Sequence, residues 1–224
     1  ATVNGTNSTN STAEPEQLTV RELFDGKRSF SIPLYQRAYA WGFDEINTLI
    51  DDITDAAQRS AGGENAAHSR YLLGSLVVHQ TPNALTGTGS VKAFEVVDGQ
   101  QRLTTLYLLL CALQRQSPTP VNNAAAEGTP QAPGLLPDHV LSFANRPTSN
   151  DALYLLKGCD GNATQHPMPT SSQDTVAAAV FRGYQLVINR HANNGSERTT
   201  SAGLPVGLDQ FAEQLLDHTH ILLI

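Results

Sequence analysis

The chain has 224 residues, of which 40% are hydrophobic and 16% charged, with a formal net charge of −7 at pH 7. This composition is that of a globular protein long enough to bury a substantial core. Its acidic balance excludes broad non-specific attraction to nucleic acid, so any DNA contact needs a local basic patch.

The N-terminal part of the chain changes character near Leu18. Residues 1–17 are mostly Asn, Ser and Thr, so we expect a flexible tail before a folded domain over residues 18–224. Thr19 and Glu22 have capping-box spacing, which predicts a short helix that Gly26 ends. A strand is predicted from Arg28 to Ile32, where a proline stops it.

The segment Ile32–Trp41 is rich in aromatic and polar side chains. It contains the single Trp of the chain, two tyrosines, a Gln and an Arg, directly after a proline. This composition suits base stacking combined with phosphate binding. The alternative is an aromatic loop that covers the core while Arg37 faces solvent.

The next stretch predicts a helix capped by Asp44. Its apolar residues follow the spacing of one helix face, and they are Ile46, Leu49, Ile50, Ile53 and Ala57. Asp51, Asp52 and Asp55 lie off that stripe, and a solvated acidic face is favoured over a metal cluster.

Two strands are predicted after a polar loop over residues 59–69. The near-continuous apolar run Tyr71–His79 indicates a central strand buried on both faces. A Gly-rich connection, Thr86–Ser90, leads to a second strand at residues 93–97. The pair predicts an antiparallel hairpin with a long loop.

The stretch Phe94–Leu106 is the most informative of the sequence. A short strand stops at Asp98-Gly99, and an apolar helix, about 101–114, begins almost at once. Free backbone N–H groups and the helix dipole make such a junction a natural anion site. Arg102 is suited to grip phosphate and Asp98 to hold a divalent cation, while an ordinary capped strand–turn–helix is the alternative.

The remainder is predicted as helices and short strands separated by long polar loops. The predicted segments are an insertion over 117–137, a strand at 140–143, a helix from Asn150 or Asp151 to Lys157, loops over 158–172 and 191–203, helices over 173–190 and 208–217, and a buried strand at 221–224. A domain seldom stops in a hydrophobic strand, so we expect a C-terminally truncated domain. His218 and His220 lack a third partner for a metal site.

Three segments, Ile32–Trp41, Tyr71–Leu76 and Val97–Leu106, occur in this order and together resemble the N-terminal domain of GmrSD-type modification-dependent restriction and phage-defence proteins. The similarity runs from about Leu18 to the C-terminus. It implies an α+β, ParB/sulfiredoxin-like fold, in which helices surround a small mixed sheet that carries long polar loop insertions.

The resemblance implies a module that binds and hydrolyses a nucleoside triphosphate. Matched position by position, its catalytic residues are Asp98, Gln100, Gln101 and Arg102. Further nucleotide contacts fall on Arg37, Gly99 and Thr104. The segment tied to sensing modified DNA corresponds to Tyr35, Gln36, Arg37 and Trp41.

The expected mechanism places the NTP phosphates, with GTP favoured, at the N-terminus of the 101–114 helix. Mg²⁺ is expected on Asp98 together with phosphate oxygens. Arg102, joined by Arg37, stabilises developing charge, and Gln100 or Gln101 places the water. A P-loop is excluded because no Gly-x4-Gly-Lys-Ser/Thr stretch occurs.

Other functions are left open at this point. One is a non-hydrolysing reader of modified DNA, with Tyr35 and Trp41 as stacking groups. Another is a DNA nuclease that uses residues 98–102. Family members carry a His-Asn-His nuclease domain further along the chain or on a partner, and that motif is missing here.

The expected setting is the cytoplasm. The two cysteines, Cys111 and Cys159, match neither a disulfide framework nor a zinc site, and Cys111 is predicted to be buried. No apolar run reaches the ~20 residues that span a bilayer, and no secretory signal is recognisable. The expected partners are an NTP, DNA, a nuclease domain in cis or in trans, and a second copy of the chain.

Overall fold

A computed structural model of the chain describes residues 14–61, 70–86, 89–116, 136–137, 140–158, 178–180, 182–185, 197–199 and 205–224. The strands are β1 (Glu16–Thr19), β2 (Arg28–Ile32), β3 (Tyr71–Thr86), β4 (Gly89–Asp98), β5 (Leu141–Phe143), β6 (Glu197–Thr199), β7 (Pro205–Gly207) and β8 (Thr219–Leu223). The helices are α1 (Val20–Leu23), α2 (Phe43–Ala61), α3 (Gln100–Gln116), α4 (Pro147–Gly158) and α5 (Leu208–Glu213), the last continued by a π-helical turn, Gln214–His218. Residues 178–180 and 182–185 are also helical.

A mixed six-stranded sheet organises the described part of the fold, which confirms the predicted α+β class. The strand order is β1-β8-β3-β4-β2-β5. The β3–β4 and β1–β8 pairs are antiparallel, whereas β4–β2, β2–β5 and β3–β8 are parallel. Strand β4 lies inside the sheet, between β3 and β2, and its last residue, Asp98, pairs with Val77 of β3.

Helix α3 is the centre of the hydrophobic core, as its sequence predicts. Leu103 and every residue from Leu106 to Leu113 are buried, with Leu108, Leu109 and Leu110 at 0% exposure. Cys111 is buried in the same helix. A helix enclosed in this way is rigid, so the residues at its N-terminus are held in fixed positions.

Local signals predicted several elements correctly. Thr19 and Glu22 form the capping box of α1, and β2 covers Arg28–Ile32. The apolar stripe of α2 is buried along its whole length. Each of these patterns depends on neighbours within about one helical turn or one strand, which a sequence shows directly.

Two predictions about β3 are wrong. Within Tyr71–His79 only Leu76 is fully buried, and Leu72 is 58% exposed. The pairing of β3 with β8 shifts register between Leu72 and Ser75, and Gly74 in this stretch takes φ +122°. The regular alternation of side chains between the two faces of the sheet is interrupted there. The hairpin loop is also short, because pairing continues to Thr86 opposite Gly89.

Two helix starts differ from the predictions. Helix α2 begins at Phe43, and Ile46 N–H donates to the Gly42 carbonyl, so Asp44 lies inside the first turn instead of capping it. Helix α4 begins at Pro147. Proline suits this position because the backbone N–H of a first helical residue has no partner within the helix, so its absence costs nothing. Asn150 instead bonds the backbone of Phe143 on β5.

Two segments predicted as coil contain strands. Strand β1 starts at Glu16, inside the expected tail, because it pairs with β8 from Glu16 opposite Leu223. Residues 197–199, in a predicted loop, form β6 and pair with β7. The predictions for residues 1–13, 62–69, 117–135, 159–177 and 186–196, which include Cys159, lie outside the described residues. Over the described residues, no helix is both long and apolar enough to cross a membrane.

Candidate functional site

The junction between β4 and α3 is a strand, a one-residue turn and a helix. Gly99 takes φ +91°, and a Cβ there would lie 3.0 Å from the Ser75 carbonyl oxygen, so only glycine fits. The first intrahelical bond runs from Leu103 N–H to the Gly99 carbonyl, at 3.0 Å. The N–H groups of residues 100–102 therefore have no carbonyl partner within the helix and are directed out of its N-terminus.

Gln101 is committed to the backbone of the aromatic segment. Its Oε1 accepts from Ala40 N at 2.7 Å and from Trp41 N at 3.3 Å, and its Nε2 donates to the Ala38 carbonyl at 3.2 Å. The side chain is 7% exposed. Gln101 thus holds residues 38–41 against the first turn of α3.

Gln100 and Gln36 each add a hydrogen bond from a side-chain amide to a backbone carbonyl. Gln100, 6% exposed, donates through Nε2 to the Arg37 carbonyl at 2.8 Å. Gln36 donates through Nε2 to the Val97 carbonyl at 2.7 Å. The loop is therefore fixed to both β4 and α3, and Arg37 lies beside the N-terminus of α3.

A hydrogen bond between two buried hydroxyl groups also joins the aromatic segment to α3. Tyr39 and Thr105 share a hydrogen bond of 2.8 Å, and Thr105 also donates to the Gln101 carbonyl. Burial raises the pKa of Tyr39 to about 12, so its hydroxyl stays protonated near neutral pH. Thr104 is 1% exposed, so its side chain offers no surface to a ligand.

Three charged residues lie close to the contact between the aromatic segment and the first turn of α3. Asp98 and Arg37 are exposed, and neither side chain has a hydrogen-bond or ion-pair partner within the described part of the chain. Arg102 is half-buried and donates through Nη1 to the Ser75 carbonyl at 2.7 Å. A Cβ on Gly74 would lie 2.5 Å from that same nitrogen, so Gly74 leaves the space that Arg102 occupies.

Tyr35 lies on the outer side of the loop. It is 70% exposed, and its hydroxyl donates to Glu95 at 3.0 Å. That bond raises the pKa of Tyr35. The aromatic ring is therefore displayed to solvent next to β4, and Leu34 beside it is 51% exposed.

A cavity of about 430 Å³ lies next to the junction, between α2 and the start of β3. It is lined by Trp41, Asp44, Glu45, Thr48, Leu49, Asp52, Tyr71, Leu73 and Arg102. The structure therefore brings Trp41 and Arg102 to one cavity, whereas Asp98, Tyr35 and Arg37 do not line it.

Several lining residues were not predicted from the sequence to belong to a nucleotide or DNA site. Asp44, Thr48 and Asp52 recur every four residues and so share one face of α2. That spacing was visible in the sequence. Tyr71 was not predictable in this role, because it reaches Asp52 only through the packing of β3 against α2, where its hydroxyl donates at 2.8 Å.

In the part of the chain that the structure describes, the protein side chains alone do not build a metal cage. Among the described residues, no three His, Cys, Asp or Glu side chains cluster closely enough to hold a metal ion. An exposed single carboxylate such as Asp98 fits Mg²⁺ that arrives with phosphate oxygens and waters, because Mg²⁺ often takes only one or two protein carboxylates.

Comparison with known proteins assigns the chain to a family. A family model described as "GmrSD restriction endonuclease, N-terminal domain" matches residues 20–194. Among curated proteins, none matches the chain. The matched region contains the aromatic segment, the β4–α3 junction and all the residues that line the cavity. The chain belongs to the family of N-terminal domains of GmrSD restriction endonucleases.

Proposed function

We propose that this domain binds a nucleoside triphosphate at the N-terminus of α3, with GTP favoured, and hydrolyses it to regulate a nuclease that acts on modified DNA. Membership of the family places the chain in a GmrSD-type restriction system, which involves DNA and a nuclease domain. The nucleotide, its hydrolysis and the sensing of a DNA modification are the proposed part.

One observation carries the proposal. An exposed carboxylate, Asp98, and an exposed guanidinium, Arg37, flank the same rigid helix N-terminus, and neither has a partner in the described structure. The Arg37 backbone is anchored there by Gln100. Opposite charges beside helix N–H groups can be completed by a ligand that carries both signs, such as a triphosphate with Mg²⁺.

The side chains would act as follows. The N–H groups of the first turn of α3 would donate hydrogen bonds to the phosphate oxygens, and Arg37 and Arg102 would stabilise the charge that grows on the transferred phosphoryl group. Mg²⁺, held by Asp98 and by the phosphates, would supply charge neutralisation when bound. Gln100 and Gln101 would contribute mainly by fixing the loop, since their amides already bond backbone atoms.

The test is Asp98→Ala. The carboxylate is exposed and without a bonding partner, so its removal should leave the fold and the melting temperature unchanged while abolishing Mg²⁺-dependent NTP hydrolysis. Asp209→Ala is the matched control, because Asp209 is an exposed carboxylate in the first turn of α5, away from the junction. Equal turnover by Asp98→Ala and the control would refute the proposal.

A second function, a non-hydrolysing reader of modified DNA, is favoured by the exposed outer side of the loop. Tyr35 is 70% and Leu34 51% exposed, and Arg37 beside them is a free cation in the described structure. Exposed aromatic and basic groups suit contact with bases and phosphates.

Binding assays separate this reader from the NTPase. Affinity for modified and unmodified duplexes is measured with and without NTP, for the wild type and for Tyr35→Ala. Equal affinity in all four conditions eliminates the reader. Metal-dependent nicking of DNA by the chain alone, lost in Asp98→Ala, would instead support a nuclease that uses residues 98–102.

A further inference from the structure

The cavity between α2 and β3 lies next to the proposed phosphate site and shares one residue with it. Arg102 belongs to both, because it lies in the first turn of α3 and also lines the cavity. Trp41 also lies at the boundary, since its backbone N–H is held by Gln101 while its side chain lines the cavity.

The lining has two chemical parts. Trp41, Leu49 and Leu73 provide flat or apolar walls, and Leu49 is only 3% exposed. Asp44, Glu45 and Asp52 provide acceptors along α2. Aromatic and apolar side chains beside carboxylate acceptors match a nucleobase, whose faces stack on aromatic rings and whose N–H groups donate to oxygen.

Asp52 is the acceptor that the structure orients best. Its Oδ2 accepts the Tyr71 hydroxyl at 2.8 Å, which fixes the carboxylate and leaves Oδ1 and the second lone pair of Oδ2 available. Burial, followed by the bond to Asp52, raises the pKa of Tyr71, so the tyrosine remains a donor at neutral pH. By contrast, Glu45 is occupied with the Gly42 N–H at 2.9 Å.

We propose that this cavity is the nucleobase subsite of the NTP site, and that Asp52 selects guanine. A carboxylate accepts the ring N1–H and the exocyclic amino group of guanine together, whereas adenine presents a ring acceptor at the corresponding position. The inference rests on the proposed NTP function and assigns its base specificity to α2 and β3, elements outside the β4–α3 junction.

The position of the cavity also fits the charge distribution of a nucleotide. A triphosphate would be repelled by carboxylates, so the acidic face of α2 is suited only to the base end of a nucleotide. Arg102, between the cavity and the helix N-terminus, is the group that would face the negatively charged end. The chain therefore places cationic and anionic groups in the order in which a bound nucleotide needs them.

Asp52→Asn provides a test that does not depend on loss of function. An asparagine amide can donate to the 2-oxo group of xanthine but cannot accept both guanine donors. Binding of GTP, inosine triphosphate, xanthosine triphosphate and ATP is measured with the whole chain in the presence of Mg²⁺. The wild type should bind GTP about ten-fold or more tighter than inosine triphosphate, which lacks the amino group.

In Asp52→Asn the affinity for GTP should fall about ten-fold or more, while that for xanthosine triphosphate should rise. Asp209→Asn, with an exposed carboxylate on α5, should leave all four affinities unchanged. Tyr71→Phe should lower the affinity for GTP less than Asp52→Asn does, because it removes only the hydroxyl that orients the Asp52 carboxylate.

The outcomes distinguish this inference from the proposed function. Equal binding of all four nucleotides by the wild type, or an unchanged order of preference in Asp52→Asn, would overturn the base subsite while leaving the phosphate site intact. Failure of every NTP to bind the wild type would overturn both.

Discussion

At the scale of single residues, the side-chain amides of Gln100 and Gln101 fix the aromatic segment to the first turn of α3. The sequence indicated that Gln100 and Gln101 meet ligand or water. In the folded chain both are buried and bond the backbone of residues 37–41. Their partners lie about sixty positions upstream, and no local pattern reveals such a contact. By contrast, the glycine at position 99 was informative, because a turn between strand and helix restricts the residue type locally.

Gln101→Leu tests this structural role. Leucine has similar bulk but leaves the N–H of Ala40 and the carbonyl of Ala38 without their partner. Stability should fall by about 2 kcal/mol, the cost of losing buried hydrogen bonds. Urea unfolding measures it, with the exposed Gln17→Leu as control. A change under about 0.5 kcal/mol would show that the amide does not hold the loop.

Gly74→Ala tests the position of Arg102. The new Cβ would lie 2.5 Å from Arg102 Nη1, so the guanidinium must move and NTP turnover should fall about ten-fold or more. Gly26→Ala is the control, because Gly26 also has positive φ, +85°, but contacts Pro137 instead. Both variants should lose stability from backbone strain. Equal turnover by Gly74→Ala and Gly26→Ala would show that Arg102 does not contribute to hydrolysis.

At the scale of elements, the aromatic loop is coupled to a helix that follows it by more than a hundred residues. Gly183, in the helical residues 182–185, packs directly on the ring of Tyr39. Tyr39 in turn bonds Thr105 on α3. The periodicity of that helix was predicted from sequence, but its contact with the loop was not, because periodicity identifies an apolar face without naming its partner.

Gly183→Ala should therefore disturb the site from a distance. Its Cβ would fall 2.3 Å from Tyr39 Cε1, which forces the ring to move. We expect about 1–3 kcal/mol of destabilisation from overpacking, together with weaker NTP binding. Thermal unfolding and NTP titration measure the two effects. Gly207→Ala is the control, because nothing lies within 4 Å of its added Cβ. Unchanged NTP affinity in Gly183→Ala would contradict the coupling.

At the scale of the whole molecule, the sheet joins the two ends of the described chain. Strand β8 lies between β1 and β3, and α1 is linked to the π-helical turn by Arg21, whose Nη2 donates to Asp217 Oδ2 at 2.8 Å. The sequence predicted that Ile221–Ile224 is a strand, yet the strand order depends on long-range pairing that local patterns do not specify. The α+β class was predictable, whereas the topology was not.

The Arg21–Asp217 link predicts how stability depends on pH. The hydrogen bond from Arg21 lowers the pKa of Asp217 below 3.8, and the Thr19 N–H lowers that of Glu22 below 4.5. The unfolded chain therefore binds more protons in this range. This stabilisation is present at pH values above the ordinary pKa of the two carboxyl groups and is lost as the pH falls through their lower folded-state pKa values.

Urea unfolding between about pH 6 and about pH 2 checks this prediction. The wild type should lose stability as the pH falls below the unfolded values, and Asp217→Asn should show a smaller loss. Both side chains of the pair are partly exposed, so the effect should also weaken at high salt. Parallel pH profiles for the wild type and Asp217→Asn would rule out the ion pair as a source of the dependence.

The most direct measurement is the steady-state rate of GTP hydrolysis by the full-length protein, with and without modified DNA, for the wild type and Asp98→Ala. We expect Mg²⁺-dependent hydrolysis in the wild type, a change in its rate when modified DNA is added, and no hydrolysis in Asp98→Ala. Absence of hydrolysis in the wild type, or an equal rate in Asp98→Ala, would contradict the assignment of the α3 N-terminus as the NTP site.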